Sequence, residues 1–507
     1  MSQKEQTLKL IISHSKEYGF VFPSSEIYDG ISAFYDYGPF GVELKNNIKK
    51  YWWQSMVQFR LDVVGLDSAI FMHPKIWKAS GHVDAFNDPL IDNKDSKKRY
   101  RADELIENYI RKINLKIEKE IKKASKRFGS DFDRDKFHKT SPRINKYLSE
   151  IKDISNKMNS FLNNEEFKKV KDLIYDLNIV CPVSGTCNWT DVRQFNLMFG
   201  TKVGSVSDEA SNLFLRPETA QGIFVNFLNV QKSARMKIPF GIAQIGKAFR
   251  NEIIARQFIF RMREFEQMEM QFFVEPGSEI KWFEYWKKER LNWYKSLGIS
   301  DSNLKYHDHE KLAHYANAAT DIEFKFPFGF KELEGIHSRT DFDLSSHANE
   351  TNKKIQYFDP KSSTNYTPYV VETSIGLDRM FLAVLCESYR EDNNGKEKRV
   401  YLKIPPVLSP FKVAILPLVK KDNLPEKAKE LYHTLIKDFN CYYEEKDSIG
   451  KRYRRQDAIG TPFCVTIDHE TLENNTVTIR DRDTMSQERI NMEDLNNIIK
   501  KKLSFNC

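Results

Sequence analysis

Two separate segments of the chain concentrate the residue types best suited to chemistry. The first reads Phe249-Arg250-Asn251-Glu252 and, after a short gap, Phe260-Arg261-Met262-Arg263-Glu264-Phe265. The second reads Glu372-Thr373-Ser374-Ile375-Gly376-Leu377-Asp378-Arg379. Guanidinium groups keep their charge at any physiological pH and grip phosphate oxygens in pairs. Arginines spread over a strand, a loop and a helix start therefore suit a clamp for a polyphosphate. The acidic residues among them need a different partner, an ammonium or an exocyclic amine. Together the two segments point to a site that holds ATP and an amino acid side by side.

The elements that would position these groups follow from periodicity. Read as a strand, Ile242 to Glu252 puts Gln244, Gly246, Ala248, Arg250 and Glu252 on one face and turns Ile245 and Phe249 toward a core. In the next strand Phe265, Gln267, Glu269 and Gln271 share one face, and Met268, Met270 and Phe272 the other. Each strand alone reads as half of a sheet with one wet face. As antiparallel neighbours they line a floor with Arg, Glu, Gln and an aromatic ring. Farther on, Val370 and Val371 read as a strand end, Glu372 and Ser374 as a turn, and Gly376 as the start of an apolar helix through Leu385. A cation in the first turn of that helix, Arg379, opposes the helix dipole and is unfavourable unless an anion lies nearby. Gly241 to Ala248 imitates the glycine and lysine spacing of a P-loop, but lacks the Ser or Thr that would ligate magnesium and has no helical pattern after it.

The wider chain sets bounds. Its 507 residues suggest about three domains. With 40% hydrophobic and 13% aromatic residues it can bury sizeable cores, which excludes a disordered protein. The net charge of +8 is compatible with nucleic acid without requiring it. Cys181, Cys187, Cys386, Cys441, Cys464 and Cys507 form no C-x-x-C pair, so free thiols in a reducing compartment are expected. Cys181-Pro182-Val183-Ser184-Gly185 is half of a metal knuckle without its partner, and no structural zinc is expected there. No stretch approaches the roughly eighteen apolar residues of a membrane span, and the start of the chain lacks the apolar core of a signal peptide. The expectation is a cytoplasmic enzyme with no membrane contact.

Between about Asp92 and Asp172 the chain is dense in charge, and Leu105, Ile106, Tyr109, Ile110, Ile113, Ile117 and Ile121 follow helical spacing. This reads as a helical insertion, either a solvated spacer or a basic arm against RNA, with interleaved acids favouring the spacer. Tyr37 to Phe59 reads as an amphipathic helix after Pro39, with Leu44, Ile48, Tyr51, Trp52 and Met56 on one face. Val400 to Pro406 reads as a connector. Strands and helices then alternate: a strand from Phe411 to Pro417, a helix near Pro425 to Asp438, strands at Phe463–Ile467 and Val477–Asp481, and a last helix near Met492 to Leu503. Within this region Lys451-Arg452-Tyr453-Arg454-Arg455 has the charge and the ring suited to RNA backbone and an unstacked base.

The segment from Arg250 to Phe265 resembles motif 2 of the class II aminoacyl-tRNA synthetases, and Gly376 to Arg379 resembles the core of motif 3. More narrowly, the chain is similar to the dimeric glycyl-tRNA synthetases. The residues that carry the likeness are Asp36-Tyr37-Gly38-Pro39, Ser80-Gly81-His82, Phe195 to Phe199, Arg216-Pro217-Glu218-Thr219-Ala220-Gln221-Gly222, Arg263 to Glu269 and Ser448 to Tyr453. The likeness covers nearly all of the chain except the insertion. It implies an α+β fold: the class II antiparallel sheet flanked by helices, with a helical insertion and a C-terminal mixed α/β anticodon-binding domain. The expected divisions are 1–91 (catalytic, with the dimerisation region), 92–172 (insertion), 173–405 (catalytic, with motifs 2 and 3) and 406–507 (anticodon-binding).

The resemblance also implies roles. Arg250 and Arg379 would be catalytic, Arg250 on the α-phosphate and the amino-acid carboxylate, Arg379 on the γ-phosphate and one face of adenine. Phe265 would stack on the other face, Glu252 would accept from the adenine amine, and Arg261 and Arg263 would hold phosphates. Asn251, Phe260, Met262, Glu264, Glu332, Leu333, Gly376, Leu377 and Asp378 complete the implied ATP site, with Glu332 toward Mg2+. Glycine would be held by Glu218, Glu269, Glu372 and Ser374, with Arg101, Phe265, Glu266, Gln267 and Met268 beside them. Lys451, Arg452, Arg454 and Arg455 would meet tRNA. The implied partners are ATP with Mg2+, glycine, the tRNA for glycine and a second copy of the chain, with Pro74 a candidate for the proline of the dimerisation motif. Two alternatives are a synthetase-like accessory protein that binds nucleic acid without catalysis, and a class II synthetase for another small amino acid. The intact set Arg250, Glu252, Arg263, Phe265 and Arg379 favours the enzyme.

Overall fold

A computed structural model describes the chain except residues 1–2, 130–131, 204–210, 254–256, 310–311, 314, 395–396 and 504–507. It divides into two units, one of 1–80, 200–250 and 255–507, the other of 81–199 and 251–254.

The first unit is built on a seven-stranded sheet. Its strands are β1 (Val63–Gly65), β2 (Phe240–Phe249), β3 (Glu264–Val274), β4 (Leu304–Asp308), β5 (Ala318–Phe326), β6 (Gly329–Thr340) and β7 (Tyr369–Gly376). They lie in the order β4-β5-β6-β7-β3-β2-β1, antiparallel throughout except that β1 runs parallel to β2. The period-two pattern of β3 sorts its side chains as expected. Met268, Met270 and Phe272 join a large core with α1 (Pro39–Trp53), α3 (Glu279–Ser296) and α5 (Leu377–Ser388). On the opposite face, Phe240, Ile242 and Phe273 pack with α2 (Ala220–Ser233) and with Leu344 of α4 (Phe342–Thr351) at one end only. The rest of that face is polar: Gln244, Gln267, Glu269, Gln271 and Glu372 are all buried there. Each fully buried Met, Phe or Ile contributes about 1.5–3 kcal/mol. Buried carboxylates contribute nothing comparable and tend to cost stability, so the polar floor is not what holds the sheet together.

α1 starts at Pro39 and continues beyond Trp53 into one π turn, Gln54–Gln58, which keeps Met56 in the core. Two readings are corrected. Glu372 and Ser374 are not in a turn: β7 runs through them, paired to β3 on one side and β6 on the other. Val400 to Leu402 is not a connector but the end of a strand, Glu397–Leu402, that forms a hairpin with Tyr389–Asn394. The P-loop imitation at Gly241 to Ala248 lies in β2, and a Cβ on Gly246 would come within 2.2 Å of an Arg216 guanidinium nitrogen.

The C-terminal part carries a five-stranded mixed sheet in the order Cys441–Tyr443, Val413–Pro417, Phe463–Ile467, Thr476–Asp481, Gln487–Asn491. The first three strands are parallel and the last two antiparallel. Its core is formed by residues such as Val413, Ile415, Leu431, Val465 and Ile499. In the second unit a three-stranded sheet (Asn87–Asn93, Lys98–Arg101, Arg193–Asn196) accompanies the helices Ala102–Phe128, Arg134–Thr140, Pro142–Asn163 and Phe167–Asp176. Ile106, Ile113, Val170, Ile174 and Trp189 are buried together there, and Ile117, Ile121 and Ile144 form a smaller cluster. No helix among the described residues is long and apolar enough to cross a membrane.

Candidate active site

The floor is assembled from paired strands. β3 and β7 put Glu269 opposite Ser374 and Gln271 opposite Glu372, and β6 adds His337 opposite Glu372. The Gln271 amide donates to Glu269 and to Glu372, at 2.8 Å each. Thr219, just ahead of α2, donates its hydroxyl to Glu269. Arg339 donates to Glu372 at 2.9 Å and grips Asp343 through two nitrogens at 2.8 and 3.0 Å. His337 Nδ1 lies 2.9 Å from Glu372. Gln221 extends the network by donating to Glu218 at 3.0 Å and Asp343 at 3.1 Å.

The charges here are unevenly matched. Burial, with Glu372 and Glu218 nearby, holds the Glu269 carboxyl well above its ordinary range. Burial would raise Glu372 as well, but Arg339 and His337 hold it below the usual carboxylate range. The His337 imidazole is in turn raised, because Glu372 more than offsets the opposing effect of burial. Glu218, Glu269 and Glu372 thus form an acidic cluster in which, among the described residues, Glu269 is held by the uncharged donors Thr219 and Gln271. An ammonium would supply a matching charge.

The cations lie along the rim. Arg250 follows the end of β2, and its N–H still donates to Arg263 O at 2.9 Å. Its Nε donates to Pro217 O at 3.0 Å, and its guanidinium lies 5.3 Å from the centre of the Phe265 ring. Arg263 donates to Ser32 O at 3.1 Å, and Arg261 is exposed. Arg379, in the first turn of α5, lies 4.5 Å over the Phe260 ring and 3.0 Å from Glu332. That carboxylate is the anion that an arginine at a helix start calls for, and Arg379 holds it below its ordinary pKa. A bulge brings Glu332 there: Glu334 and Glu332 face the consecutive residues Ile322 and Glu323 of β5. The extra residue, Leu333, goes into the core at 1% exposure.

Several expected site residues turn out otherwise. The side chains of Met262, Met268, Leu333 and Leu377 are in the apolar core, because strand alternation, the bulge and the buried face of α5 direct them there. Glu266, on the opposite face from Glu269, pairs with Lys45 at 2.6 Å, and Asp378 pairs with the same lysine at 2.9 Å. Glu264 pairs with Lys247 at 2.7 Å. Gln267 remains on the floor and donates to Ser374 at 3.2 Å. Arg101, Asn251 and Glu252 belong to the second unit, where Arg101 pairs with Asp88 at 2.9 Å and with Asp103 at 2.6 Å. Arg452 is 1% exposed and donates to the carbonyls of Pro417, Glu444 and Leu418. It lies on the inner face of the Ile449–Ile459 helix, away from that helix's exposed side. Lys451 is exposed, whereas Arg455 pairs with Glu444 at 2.6 Å and Asp447 at 3.0 Å.

Sequence reasoning put Gln271 on the floor and Thr219 and Gln221 in a motif without giving them a role, and it missed Arg339, His337 and Asp343. A signal existed for two of them: His337 and Arg339 recur at strand spacing in a segment otherwise rich in buried residues. The described cysteines are free, and Cys507 lies outside the described residues. Cys181 is buried and accepts hydrogen bonds from the N–H groups of Val183 and Ser184. Among the described residues no cluster of His, Cys, Asp and Glu could hold a metal ion.

Three family models match the chain. Residues 201–389 match the tRNA synthetase class II core domain (G, H, P, S and T), residues 88–197 the glycyl-tRNA synthetase insertion domain 1, and residues 412–502 the anticodon binding domain. Among curated proteins, the chain is 52% identical to the glycine–tRNA ligase of Chlorobaculum tepidum over 483 residues, covering 95% of this chain and 97% of the relative. It is 49% identical to that of Staphylococcus haemolyticus, covering 98% and 99%. The ligase of Macrococcus caseolyticus is also 49% identical, with 99% and 100% covered.

Proposed function

The chain belongs to the glycine–tRNA ligase family of class II aminoacyl-tRNA synthetases, and from that premise we propose how its own residues perform the reaction. The protein is an ATP-dependent ligase that joins glycine to the 3′ end of its tRNA. Glycine offers only an ammonium and a carboxylate. In the proposed binding mode the ammonium sits among Glu218, Glu269 and Glu372, and the carboxylate turns toward Arg250. The carboxylate oxygen attacks the α-phosphorus of ATP, the bond to the β-phosphate oxygen breaks, and pyrophosphate leaves. A terminal ribose hydroxyl of the tRNA then attacks the glycyl carbonyl, and AMP departs. No general base is needed in the first step, because the nucleophile is already ionised; placement and charge neutralisation lower the barrier.

Phe265 and Arg379 are the proposed walls of the adenine site, and Arg250, Arg261 and Arg263 the proposed grip on the phosphates. Glu332 has the right character for a Mg2+ that arrives with the nucleotide: half exposed, ionised and next to Arg379. A magnesium ion held by one or two carboxylates and the substrate phosphates needs no protein cage. Lys451, Arg454 and Arg455 are the proposed tRNA contacts. We place the enzyme in the cytoplasm as a homodimer; Phe59 and Leu61, 61% and 101% exposed just beyond α1, support a partner surface there. Sedimentation of the purified protein checks the dimer.

The observation that carries this reading is the excess of buried carboxylate on the floor, which an amino group would balance. Glycine-dependent exchange of pyrophosphate into ATP tests it, and an enzyme that activates alanine or serine as well as glycine would contradict it.

A further inference from the structure

Lys45 is a buried lysine that the proposed reaction does not use. It lies on the inner face of α1 at 5% exposure. Its ammonium is 2.6 Å from a Glu266 oxygen, 2.9 Å from Asp378 Oδ1 and 4.0 Å from the centre of the Tyr37 ring. The other Asp378 oxygen accepts the backbone N–H of Glu266 at 2.8 Å, and the Tyr37 hydroxyl donates to Asp378. Lys49, one turn along α1, lies 3.4 Å from the remaining Glu266 oxygen. Three elements distant in sequence are thereby tied at one point: α1, the start of β3 and the first turn of α5.

The position of this knot matters more than its strength. Glu266 follows Phe265, and Asp378 precedes Arg379. Phe265 and Arg379 are the two proposed walls of the adenine site, so the knot joins the backbones that carry them. Phe265 lies on the opposite strand face from Glu266, and Arg379 reaches to Phe260 and Glu332. A lysine here can set how far apart the walls stand.

Resting on the adenine reading above, we propose that Lys45 is a positioning residue for ATP, which fixes the separation of Phe265 and Arg379 through Glu266 and Asp378. Burial alone would lower the pKa of the ammonium, but Asp378 and Glu266 more than offset it, so the lysine stays charged. The glycine floor lies farther along β3 and β7, at Glu269 and Ser374, and is held by its own partners. Loss of the knot should therefore be felt by the nucleotide and not by the amino acid.

The test is pyrophosphate exchange by the full-length enzyme with ATP and glycine varied separately. Lys45→Met is expected to raise KM for ATP about tenfold, because small misplacements of binding groups are costly, while KM for glycine stays within about twofold. A generally loosened enzyme would lose both together, and that result, or two unchanged constants, overturns the proposal. If Lys45→Met does not accumulate as folded protein, Glu266→Ala decides the matter. It keeps the Lys45–Asp378 pair and should raise KM for ATP about threefold, a milder misplacement, whereas an unchanged value overturns the proposal. Phe265→Ala separates the two layers of the argument. If it leaves KM for ATP unchanged, the adenine reading fails and takes this inference with it. If it raises KM for ATP and Lys45→Met does not, only the role of Lys45 fails.

Discussion

Two groups of arginines in this molecule differ in what surrounds them. Around Asp457, which is fully buried, Arg399 donates at 3.1 Å and Arg480 at 2.8 and 2.9 Å. Arg482 beside them gives its nitrogens to Gly460 O and Asp483. On the rim of the seven-stranded sheet, Arg250 is half buried against Phe265, and Arg379 lies on Phe260 with the half-exposed Glu332 as its carboxylate. A guanidinium matched by buried carboxylate holds the fold together. One oriented by a ring and a carbonyl, with part of its surface open, is the kind that the proposed reaction uses on ATP.

The sharpest way to break this contrast is to truncate one arginine or its partner from each group. Arg250→Ala should lower pyrophosphate exchange by about 10³-fold, as loss of a fixed cation at a reacting phosphate does, with little change in thermal midpoint. Asp457→Ala should do the reverse. It leaves buried cations uncompensated, costing about 3–5 kcal/mol in a denaturant titration, while the folded fraction keeps its exchange rate. If Asp457→Ala impaired chemistry as Arg250→Ala does, the division would fail.

The floor offers a second comparison, between a charge that the proposed reaction uses and one that the fold uses. Glu269→Gln should raise KM for glycine about 100-fold and leave KM for ATP nearly unchanged, since it removes a charge-assisted contact to the ammonium alone. In the C-terminal part, replacing Lys451, Arg454 and Arg455 together by Ala should weaken tRNA charging about tenfold in KM and spare exchange. Arg452→Ala, by contrast, should cost about 3 kcal/mol of stability by orphaning buried carbonyls.

The smallest expected effect is a pH dependence. The Glu269 pKa is raised in the folded protein, so unfolding releases its proton above the ordinary carboxylate range. Without glycine, stability should therefore fall as pH rises from about 4.3 toward the raised value, and Glu269→Gln should lose that slope. A wild-type slope identical to that of the variant across this window would contradict the burial argument.

Much of this was legible in the sequence, for physical reasons that differ by residue. Met268, Met270 and Phe272 against Gln267, Glu269 and Gln271 is a period-two pattern, and strand geometry leaves it one reading. The sequence reads Glu372 and Ser374 as a turn, because a buried Glu has no strand signature of its own. Its partners, Arg339 and His337, lie 33 and 35 residues away. Arg452 reads as an RNA contact because a basic run does not announce which of its members the helix turns inward. Lys45 left no trace at all, since its partner Asp378 is 333 residues away. Pattern reveals what alternates, and contact alone reveals what is paired.

In the proposed reaction the excess carboxylate on the sheet floor takes the amino group of glycine beside a cation-held ATP. That role is tested most directly by pyrophosphate exchange with glycine, alanine and serine, in the wild type and in Glu269→Gln. Exchange is expected with glycine alone, and in the variant KM for glycine should rise while KM for ATP does not. Exchange with all three amino acids, or a variant indistinguishable from wild type, would contradict that role.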